Sequence, residues 1–222
     1  IPSSKPFDLY EPARENRLKL YVKRVFITDN CPELVPPYLR FIRGVIDSED
    51  LPLNISREML QNNPVVAKIR SSLVKRTLSD LKKKLLKDRK SFESFWLNFG
   101  PVLKEGIYED FEKKESLLEI ALFKNSKSKE LISLDEYVDG MGKKQKDIYF
   151  MTGDSYENIM NNPSLEGYKS RDINVLILDD PVDSFWTSST PLYKEKSFKS
   201  VTKGLDDLDS FDSKKEKDNK KE

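Results

Sequence analysis

The sequence predicts a mixed α/β fold of the α+β kind, and three patterns lead to that prediction. Leu18, Leu20 and Val22 alternate with polar neighbours, which is the period of a strand with one solvent-facing side. Apolar residues recur in steps of three and four over 66–85, as they do on one face of a long helix. Over 148–178, two apolar runs flank a helical stretch, which indicates a strand–helix–strand unit with parallel strands.

The composition excludes several classes of enzyme. The chain has no histidine and a single cysteine, Cys31, so it lacks the residues for Ser-His-Asp or Cys-His nucleophiles, His-containing zinc sites and thiolate metal cages. A lone cysteine also cannot form an internal disulfide, which fits a reducing compartment. The 39 Lys and Arg residues nearly cancel the 38 Asp and Glu residues, so the global field selects neither nucleic acid nor an acidic surface.

The length and the two ends of the chain predict a piece of a larger soluble protein. Its 222 residues fall between one domain and two, at about 150 residues each. The chain begins IPSSKPFDLY, without Met or a targeting segment, and ends in the charged string SKKEKDNKKE. No run approaches the ~18 apolar residues that a membrane span requires.

The first elements are expected to lie at the centre of a sheet. The run 18–27 is predicted as one central strand, in which 25–27 continue as buried residues. Three prolines over 32–37 then predict a loop, with at most one short helical turn over 38–42. The chain is expected to extend again over 44–46.

The stretch 47–61, DSEDLPLNISREMLQ, is the most informative part of the sequence. Pro52 disfavours helix at Leu51, and Ser56 is placed to cap a helix that begins at Arg57. Free backbone N–H groups and the helix dipole attract anions to such a helix start, so the stretch predicts a loop that grips phosphate. An ordinary capped helix with an exposed arginine is the alternative interpretation of the same spacing.

A second, longer helix is expected from Pro64, with Asn63 as its N-cap. The face opposite its apolar stripe is strongly basic, because the Lys and Arg residues over 68–90 are opposed only by Asp80 and Asp88. Neutralising phosphates requires such a face, but proteins that bind single strands interleave aromatic residues, and this face has none. A solvated helix face or contact with an acidic protein therefore competes with a nucleic-acid interface.

The next region is predicted to be helical and aromatic. Aromatic residues at 92, 95, 96 and 99 share one side of a helix that is expected to end at Gly100 and Pro101. A stripe of this kind is typical of a core. Another helix is expected to run through Leu117 and Leu118 to about Phe123.

The strand–helix–strand unit is predicted from an apolar strand at 148–152 and a second at 175–178. Between them, the turn TGDS offers Asp154 or Ser155 as a helix cap. This turn lacks the glycines of GxGxxG and the lysine of a P-loop, so ordinary capping is favoured over nucleotide binding.

Acidic residues dominate the end of the sequence. Asp179, Asp180 and Asp183 surround a proline, which favours a loop over a magnesium site. Beyond Lys203 the chain has few apolar residues and blocks of each charge, which predicts a linker or a disordered tail.

The stretch 47–61 resembles the catalytic-loop signature of the ninety-kilodalton heat-shock (Hsp90) chaperone family, and the segment LKEGIYED is closer to the bacterial members, usually called HtpG. The resemblance extends to about residue 200 and is to the middle domain of these proteins. Further segments agree with the family in the same order: LKLYVKRVFITD at 18–29, YLRFIRGVIDSEDLPLN at 38–54, FWLNFGPVLKEGIYED at 95–110, IYFMTGDS at 148–155 and VLILDDPVD at 175–183.

The resemblance implies a division of the chain into four parts. Residues 1–90 correspond to the C-terminal part of a large α/β subdomain, similar to domain 2 of ribosomal protein S5, which carries the catalytic loop. A helical connector at 91–124 and a smaller α/β/α subdomain at 125–200 follow. The charged segment 201–222 is then a linker towards a C-terminal dimerisation domain.

The resemblance also implies roles for individual residues. Arg57 corresponds to the arginine that reaches the γ-phosphate of ATP bound by the N-terminal domain, with Asn54 and Gln61 as its companions. Phe7 resembles an apolar docking position for that domain, although a terminal core aromatic is the alternative. Exposed aromatic residues for contact with client proteins are expected around three positions, Trp96, Phe185 and Trp186.

For the whole protein, the resemblance implies an ATP-hydrolysing homodimeric chaperone of the cytoplasm. ATP and Mg²⁺ are expected to bind to the N-terminal domain, and this chain alone is expected to bind neither and to be inactive. Its expected partners are the N- and C-terminal domains, unfolded or partly folded clients, and co-chaperones, with no membrane. The alternatives are a nucleic-acid-binding or ribosome-associated α/β module that uses the basic helix 68–90, and a spacer in which Arg57 has no catalytic part.

Overall fold

The computed structural model describes residues 1–11, 17–190 and 192–203. The chain divides into two compact units, Ile1–Gly106 and Ile107–Glu222. Each unit contains both helices and strands, so the mixed α/β fold class is confirmed. No helix in the described ranges is long and apolar enough to cross a membrane.

The first unit contains a three-stranded sheet of β1 (Arg17–Val22), β2 (Val25–Thr28) and β3 (Arg43–Ser48) in the order β2-β1-β3. Strand β1 runs antiparallel to β2 and parallel to β3. Leu18, Leu20 and Val22 are buried, as their alternation predicts, and β1 is the central strand.

The prediction of one strand over 18–27 is wrong, because the chain reverses at Lys23 and Arg24. These two residues have φ values of 50° and 66°, the left-handed pair that a two-residue hairpin turn requires. Val25 and Phe26 consequently lie on an edge strand and are half exposed rather than buried. Neither Lys nor Arg is a usual turn residue, so the sequence gives little sign of this reversal.

Two 3₁₀ helices, Pro32–Leu34 and Pro37–Leu39, lie in the predicted proline loop, so the expectation of at most one helical turn, over 38–42, is wrong. Each 3₁₀ helix begins at a proline, whose fixed φ suits the first position of a helical turn. Three α-helices follow β3: α1 (Arg57–Leu60), α2 (Pro64–Lys87) and α3 (Arg89–Glu109). Helix α2 begins as predicted, with Oδ1 of Asn63 accepting hydrogen bonds from the backbone N–H groups of Val65 and Val66. Its apolar stripe faces the core through five buried residues, Val66, Val74, Leu78, Leu81 and Leu85.

The prediction that a helix ends at Gly100 and Pro101 is wrong, because α3 continues through both residues to Glu109. A proline within a helix removes one backbone hydrogen bond and costs about 3 kcal/mol when nothing offsets it. Here Val102, Leu103 and Ile107 are all buried in the turns that follow. Burial of this continuing apolar face offsets the local cost of the proline.

The second unit is built on a six-stranded sheet in the order β5-β4-β7-β6-β9-β8. Its strands are β4 (Leu122–Asn125), β5 (Ile132–Ser133), β6 (Ile148–Thr152), β7 (Leu176–Leu178), β8 (Leu192–Tyr193) and β9 (Lys196–Ser200). After the end of α3, its α-helices are α4 (Lys114–Leu118), α5 (Leu134–Asp139), α6 (Tyr156–Met160), α7 (Glu166–Lys169) and α8 (Asp183–Ser189). Two 3₁₀ helices, Pro163–Leu165 and Val201–Lys203, also belong to this unit.

The strand–helix–strand prediction is confirmed. Strands β6 and β7 are parallel, with Phe150 opposite Leu176, and helices α6 and α7 lie between them in the chain. Oγ of Ser155 accepts a hydrogen bond from the N–H of Asn158, so the turn TGDS provides an ordinary helix cap.

The predicted helix through Phe123 is wrong, because α4 ends at Leu118 and Leu122–Asn125 form strand β4. Lys124 pairs with Ile177 across the sheet, so strand pairing overrides the helical spacing of the apolar residues. Of the predicted linker 201–222, residues from 204 onwards lie outside the described ranges.

Candidate functional site

The candidate site is the loop and helix at 47–61, and hydrogen bonds to the β1–β2 turn fix its starting point. The N–H of Lys23 donates to the carbonyl oxygen of Ser48 at 3.1 Å. The N–H of Arg24 donates to Oδ1 of Asp47, also at 3.1 Å. Two hydrogen bonds from the neighbouring turn, one to a backbone carbonyl and one to a side-chain carboxylate, therefore hold the residues from which the loop leaves β3.

Apolar side chains anchor both sides of the loop. Leu51 and Ile55 are buried, and the N–H of Ile55 donates to the carbonyl oxygen of Pro52 at 3.3 Å. The residues between these anchors, Pro52, Leu53 and Asn54, are exposed. The loop thus presents a short exposed turn from a base that hydrophobic burial holds in place.

Helix α1 follows the turn immediately. Oγ of Ser56 accepts a hydrogen bond from the N–H of Met59 at 3.3 Å, which confirms the predicted cap. Arg57 is the first residue of α1, and the structure describes its backbone but not its side chain. Leu60 is buried and anchors α1 to the first unit. Gln61 follows the last residue of α1 and is exposed.

The structure therefore places the three predicted site residues on one continuous element. Asn54 lies on the exposed turn, Arg57 at the start of α1 and Gln61 at its end. Sequence reasoning missed the part that Lys23 and Arg24 play in fixing this element. The only local signal for it is the pair of adjacent cations that interrupts the strand alternation after Val22.

Among the described residues of the first unit, Phe7 is the most exposed large apolar residue, with 93% of its surface accessible. Its neighbours are held firmly: Leu9 is fully buried, and the N–H of Lys5 donates to Oδ1 of Asn98 at 3.0 Å. The terminal core position considered for Phe7 is therefore wrong. An exposed aromatic ring on a fixed backbone is suited to contact with another surface.

Two of the three aromatic residues predicted for client contact are buried. Trp96 is 5% exposed and Trp186 is fully buried, so the expectation of exposure at these positions is wrong. Trp96 packs with Phe92 at 6.1 Å between ring centroids, and Trp186 packs with Phe123 at 5.7 Å. Tryptophan fits a core where its indole N–H finds an acceptor, and Asp183 supplies one for Trp186.

Phe185 is exposed as expected, and it belongs to an aromatic patch that sequence reasoning missed. Its ring contacts that of Tyr108 at 6.1 Å between centroids, and both side chains are more than half exposed. Nζ of Lys114 lies 4.8 Å from the ring centroid of the exposed Phe111 and donates to the carbonyl oxygen of Ser189 at the end of α8. We call Tyr108, Phe111 and Phe185 the aromatic patch.

The basic face of α2 is exposed and partly neutralised. Asp80 accepts hydrogen bonds from Nε of Arg76 at 2.7 Å and from Nζ of Lys83 at 3.3 Å. In the described ranges, no group of three or more His, Cys, Asp or Glu side chains is arranged to hold a metal ion. The loop prediction for the acids after β7 holds for Asp179 and Asp180, and Asp179 pairs with Lys124. It is wrong for Asp183, which is the first residue of α8 and accepts a hydrogen bond from Trp186 in the same helix.

Comparison with known proteins places this fold and loop in one family. The family model described as Hsp90 protein matches residues 1–222. The chaperone protein HtpG of Paramagnetospirillum magneticum is 53% identical over 208 residues, which cover 94% of this chain and 33% of that protein. HtpG of Orientia tsutsugamushi is 49% identical over 214 residues, 96% of this chain and 34% of that protein.

A solved structure agrees with the sequence matches. The middle domain of a Plasmodium falciparum heat shock protein superposes with a TM-score of 0.79 at 31% identity, covering 92% of this chain and 80% of that one. The chain spans about a third of the length of the curated relatives it matches. It belongs to the Hsp90 family and is the middle domain of an HtpG-type chaperone.

Proposed function

We propose that this chain delivers Arg57 to the γ-phosphate of ATP held by the N-terminal domain of the same protein. The observation that carries the proposal is the position of Arg57, which opens a Ser56-capped helix directly after an exposed turn. Burial of Leu51 and Ile55 supports that turn on both sides. A guanidinium is always charged and binds two phosphate oxygens at once. Because the backbone that carries Arg57 is already fixed, less conformational entropy is lost when the side chain binds phosphate.

Asn54 and Gln61 are proposed as companions of Arg57 in the same contact. Both are exposed on the element that carries Arg57, and a carboxamide both donates and accepts hydrogen bonds. Hydrolysis then depends on the approach of the loop, because a charge supplied by a second module is absent until the modules close.

ATP and Mg²⁺ are proposed to bind outside this chain, on the N-terminal domain of the longer protein. The described residues offer no cluster of carboxylates for a metal ion, and the sequence has no phosphate-binding glycine loop. When bound, Mg²⁺ neutralises charge on the β- and γ-phosphates. The contribution of this chain is one cation and the loop that positions it.

A chimaera tests the role of Arg57 in a complete dimeric protein. This chain replaces the matching third of HtpG from Paramagnetospirillum magneticum, to which it is 53% identical. Arginines that act on phosphoryl transfer contribute ~10³ to 10⁵ in rate elsewhere. Arg57→Ala is therefore expected to lower ATP turnover by at least about tenfold while ATP affinity stays unchanged, because binding and the chemical step use different domains.

Arg76→Ala is the matched control, since Arg76 is an exposed arginine of the same unit. It is expected to leave ATP turnover unchanged. Wild-type turnover in the Arg57→Ala chimaera would refute the proposal and leave the chain as a spacer between domains.

Phe7 is proposed to dock against the N-terminal domain when that domain closes on the loop. Its ring is almost fully accessible while Lys5 and Leu9 on either side are fixed to the first unit. Covering an exposed phenylalanine releases the free energy of burying its apolar surface, about 1.5–3 kcal/mol. Phe7→Ala in the chimaera is expected to lower ATP turnover and to leave the unfolding temperature of the first unit unchanged.

Client binding is proposed for the aromatic patch. Tyr108, Phe111 and Phe185 are 57%, 83% and 60% exposed, which leaves apolar surface available to an unfolded polypeptide. The nearby Lys114 is held by Ser189 and does not cover the patch fully. Phe111→Ser and Phe185→Ser are expected to weaken the binding of an unfolded test protein without changing ATP turnover, and Leu192→Ser, also at an exposed apolar residue, serves as the control.

The remaining proposals concern the whole protein. We propose a homodimer that forms through a C-terminal domain, works in the cytoplasm and receives clients with the help of co-chaperones. The family and the relatives' description as chaperones support this reading. Sedimentation of the full-length protein tests the dimer, and its release by cell lysis but not by osmotic shock, which frees periplasmic proteins, tests the location.

A further inference from the structure

The guanidinium of Arg40 is one of the groups that hold the N-terminal segment 5–11 to the first unit, beside the buried Leu9 and the hydrogen bond from Lys5 to Asn98. Nε of Arg40 donates to the carbonyl oxygen of Leu9 at 2.8 Å. Nη1 donates to the carbonyl oxygen of Pro37 at 2.9 Å. Nη1 and Nη2 also donate to the two carboxylate oxygens of Glu105, the second at 2.8 Å. One side chain therefore joins the N-terminal segment, the second 3₁₀ helix and α3.

The hydrogen bond from Arg40 fixes the direction of the backbone at Leu9. Leu9 is fully buried, but an apolar side chain in a core resists displacement more than it sets the direction of the backbone. A hydrogen bond to the Leu9 carbonyl is directional, and it comes from a planar group whose other edge is fixed bidentately by a carboxylate. The N–H of Leu9 also donates to the carbonyl oxygen of Pro6 at 3.2 Å, so the turn that contains Phe7 is closed onto the held residue.

The Arg40–Glu105 ion pair adds little to the free energy of unfolding, so stability alone does not explain why the pair is present. The side chains of Arg40 and Glu105 are 21% and 26% exposed, and an ion pair at this depth loses in desolvation much of what it gains in attraction. What the pair provides is a defined orientation for the chain beside Phe7, which remains exposed.

We propose that Arg40 is a positioning residue, which holds Phe7 outward for docking by fixing the Leu9 carbonyl, with Glu105 holding the guanidinium in place. The inference rests on the proposed docking role of Phe7 and adds the device that presents it. Arg40 does not itself contact the docking partner; it acts through the backbone of segment 5–11.

A double-mutant cycle in the HtpG chimaera tests this, with Arg40→Met, Phe7→Ala and the combination of both. Arg40→Met is expected to lower ATP turnover by roughly three- to tenfold, in the range of couplings between residues that share a network. In the Phe7→Ala background, Arg40→Met is expected to cause no further fall. Its effect on the unfolding temperature is expected to be the same in both backgrounds, because lost ion pairing does not depend on Phe7.

Arg89→Met is the matched control. Arg89 pairs with Glu93 within the first unit at 2.7 Å, and the two side chains have a comparable exposure of 31% and 35%. It is expected to leave turnover unchanged. An equal fall with Arg89→Met, or a fall with Arg40→Met that persists undiminished without Phe7, would show that Arg40 is only structural.

Two further results separate this inference from the proposed function. If Phe7→Ala leaves turnover unchanged, the docking role of Phe7 fails, and the positioning role fails with it. If Phe7→Ala lowers turnover and Arg40→Met does not, only the positioning role fails. Glu105→Gln provides a milder variant that keeps one acceptor, and amide hydrogen exchange at Leu9 and Glu11 is expected to accelerate in it while exchange in α2 is unchanged.

Discussion

The indole Nε1–H of Trp186 donates a 2.6 Å hydrogen bond to Oδ1 of Asp183, and both side chains are fully buried. Oδ2 of the same carboxylate accepts from the N–H of Asp180 at 3.1 Å. This one pairing changes the interpretation of two sequence features. The acid is occupied in organising the start of α8, and the tryptophan belongs to the core of the second unit rather than to a client-binding surface.

Asp183→Ala is expected to destabilise the second unit by about 1–3 kcal/mol, since it leaves the buried indole N–H of Trp186 without an acceptor. Asp183→Asn keeps one acceptor oxygen and is expected to cost less. Urea unfolding followed by tryptophan fluorescence measures the difference. Asp154→Ala, at an exposed acid of the same unit, is the control and is expected to stay within about 0.5 kcal/mol of the parent. Equal stability of the Asp183→Ala and Asp154→Ala variants would contradict this account.

Ser56→Ala is expected to reduce ATP turnover in the HtpG chimaera, although Ser56 does not touch the nucleotide in the proposed mechanism. Its Oγ accepts from the N–H of Met59, and losing an N-cap costs about 1 kcal/mol, a large part of what holds a single-turn helix. Ser56→Asn supplies an equivalent, uncharged cap and is expected to restore turnover. Ser71→Ala on the exposed side of α2 is the control. Normal turnover in Ser56→Ala would mean that the position of Arg57 does not depend on the cap.

Features encoded by neighbouring residues were predictable. Asn63 and Pro64 mark the start of α2, Ser56 marks the start of α1, and both predictions are confirmed because a cap is a contact over two or three residues. The reversal at Lys23 and Arg24 was not predictable, because lysine and arginine carry no preference for positive φ.

Features decided by distant parts of the chain were mispredicted for a common reason. Pro101 should end a helix, yet the burial of Ile107 beyond it sustains α3. Phe123 has helical spacing, but pairing with Ile132 of β5 places it in a strand. At the candidate site, the turn, the Ser56 cap and the apolar residues on either side of the turn are all determined by residues close together in the sequence. The hydrogen bond from Arg24 to Asp47 joins residues 23 positions apart, so it could be recognised only from the folded structure.

The stability of the first unit is expected to fall between about pH 9 and pH 12 because of Cys31. Burial, reinforced by a hydrogen bond to Glu33, raises the pKa of this thiol from 9.0 to about 12. Above pH 9 the unfolded chain loses the thiol proton first, so the stabilisation present below that pH is progressively lost as pH rises towards 12.

Urea midpoints measured across this range for the parent and for Cys31→Ala isolate the effect, since other groups titrate equally in both. The parent is expected to lose stability more steeply with pH. Glu33→Gln removes the neighbouring charge and is expected to flatten the slope. Parallel curves for the parent and Cys31→Ala would show that the pKa of the buried thiol is not raised.

Gly100→Ala is expected to destabilise the first unit even though alanine favours a helix over glycine by about 1 kcal/mol. A Cβ atom at this position would lie 2.8 Å from Cε2 and 2.9 Å from Nε1 of Trp96, whose ring is packed against Phe92. Overpacking of this kind costs about 1–3 kcal/mol. In a Trp96→Leu background the clash is removed, so the same change is expected to become neutral or stabilising.

Gly142→Ala serves as the control for this pair, because no atom lies within 4 Å of the Cβ it would add. It is expected to leave stability unchanged or slightly raised. Destabilisation by Gly100→Ala that persists in the Trp96→Leu background would place the cause in the helix backbone rather than in the ring contact.

The basic face of α2 is expected not to bind single-stranded nucleic acid at physiological salt. Asp80 pairs with Arg76 and with Lys83, and each pairing lowers the charge that the face presents to a phosphate chain. The face also lacks the aromatic residues on which bases stack. Fluorescence anisotropy with a labelled oligonucleotide, titrated with salt, measures this directly. Asp80→Asn frees both cations and is expected to add, at most, weak binding at low salt that falls steeply as salt rises. Tight binding by the unmodified chain, with a slope that each lysine substitution on α2 reduces, would instead favour a nucleic-acid-binding module.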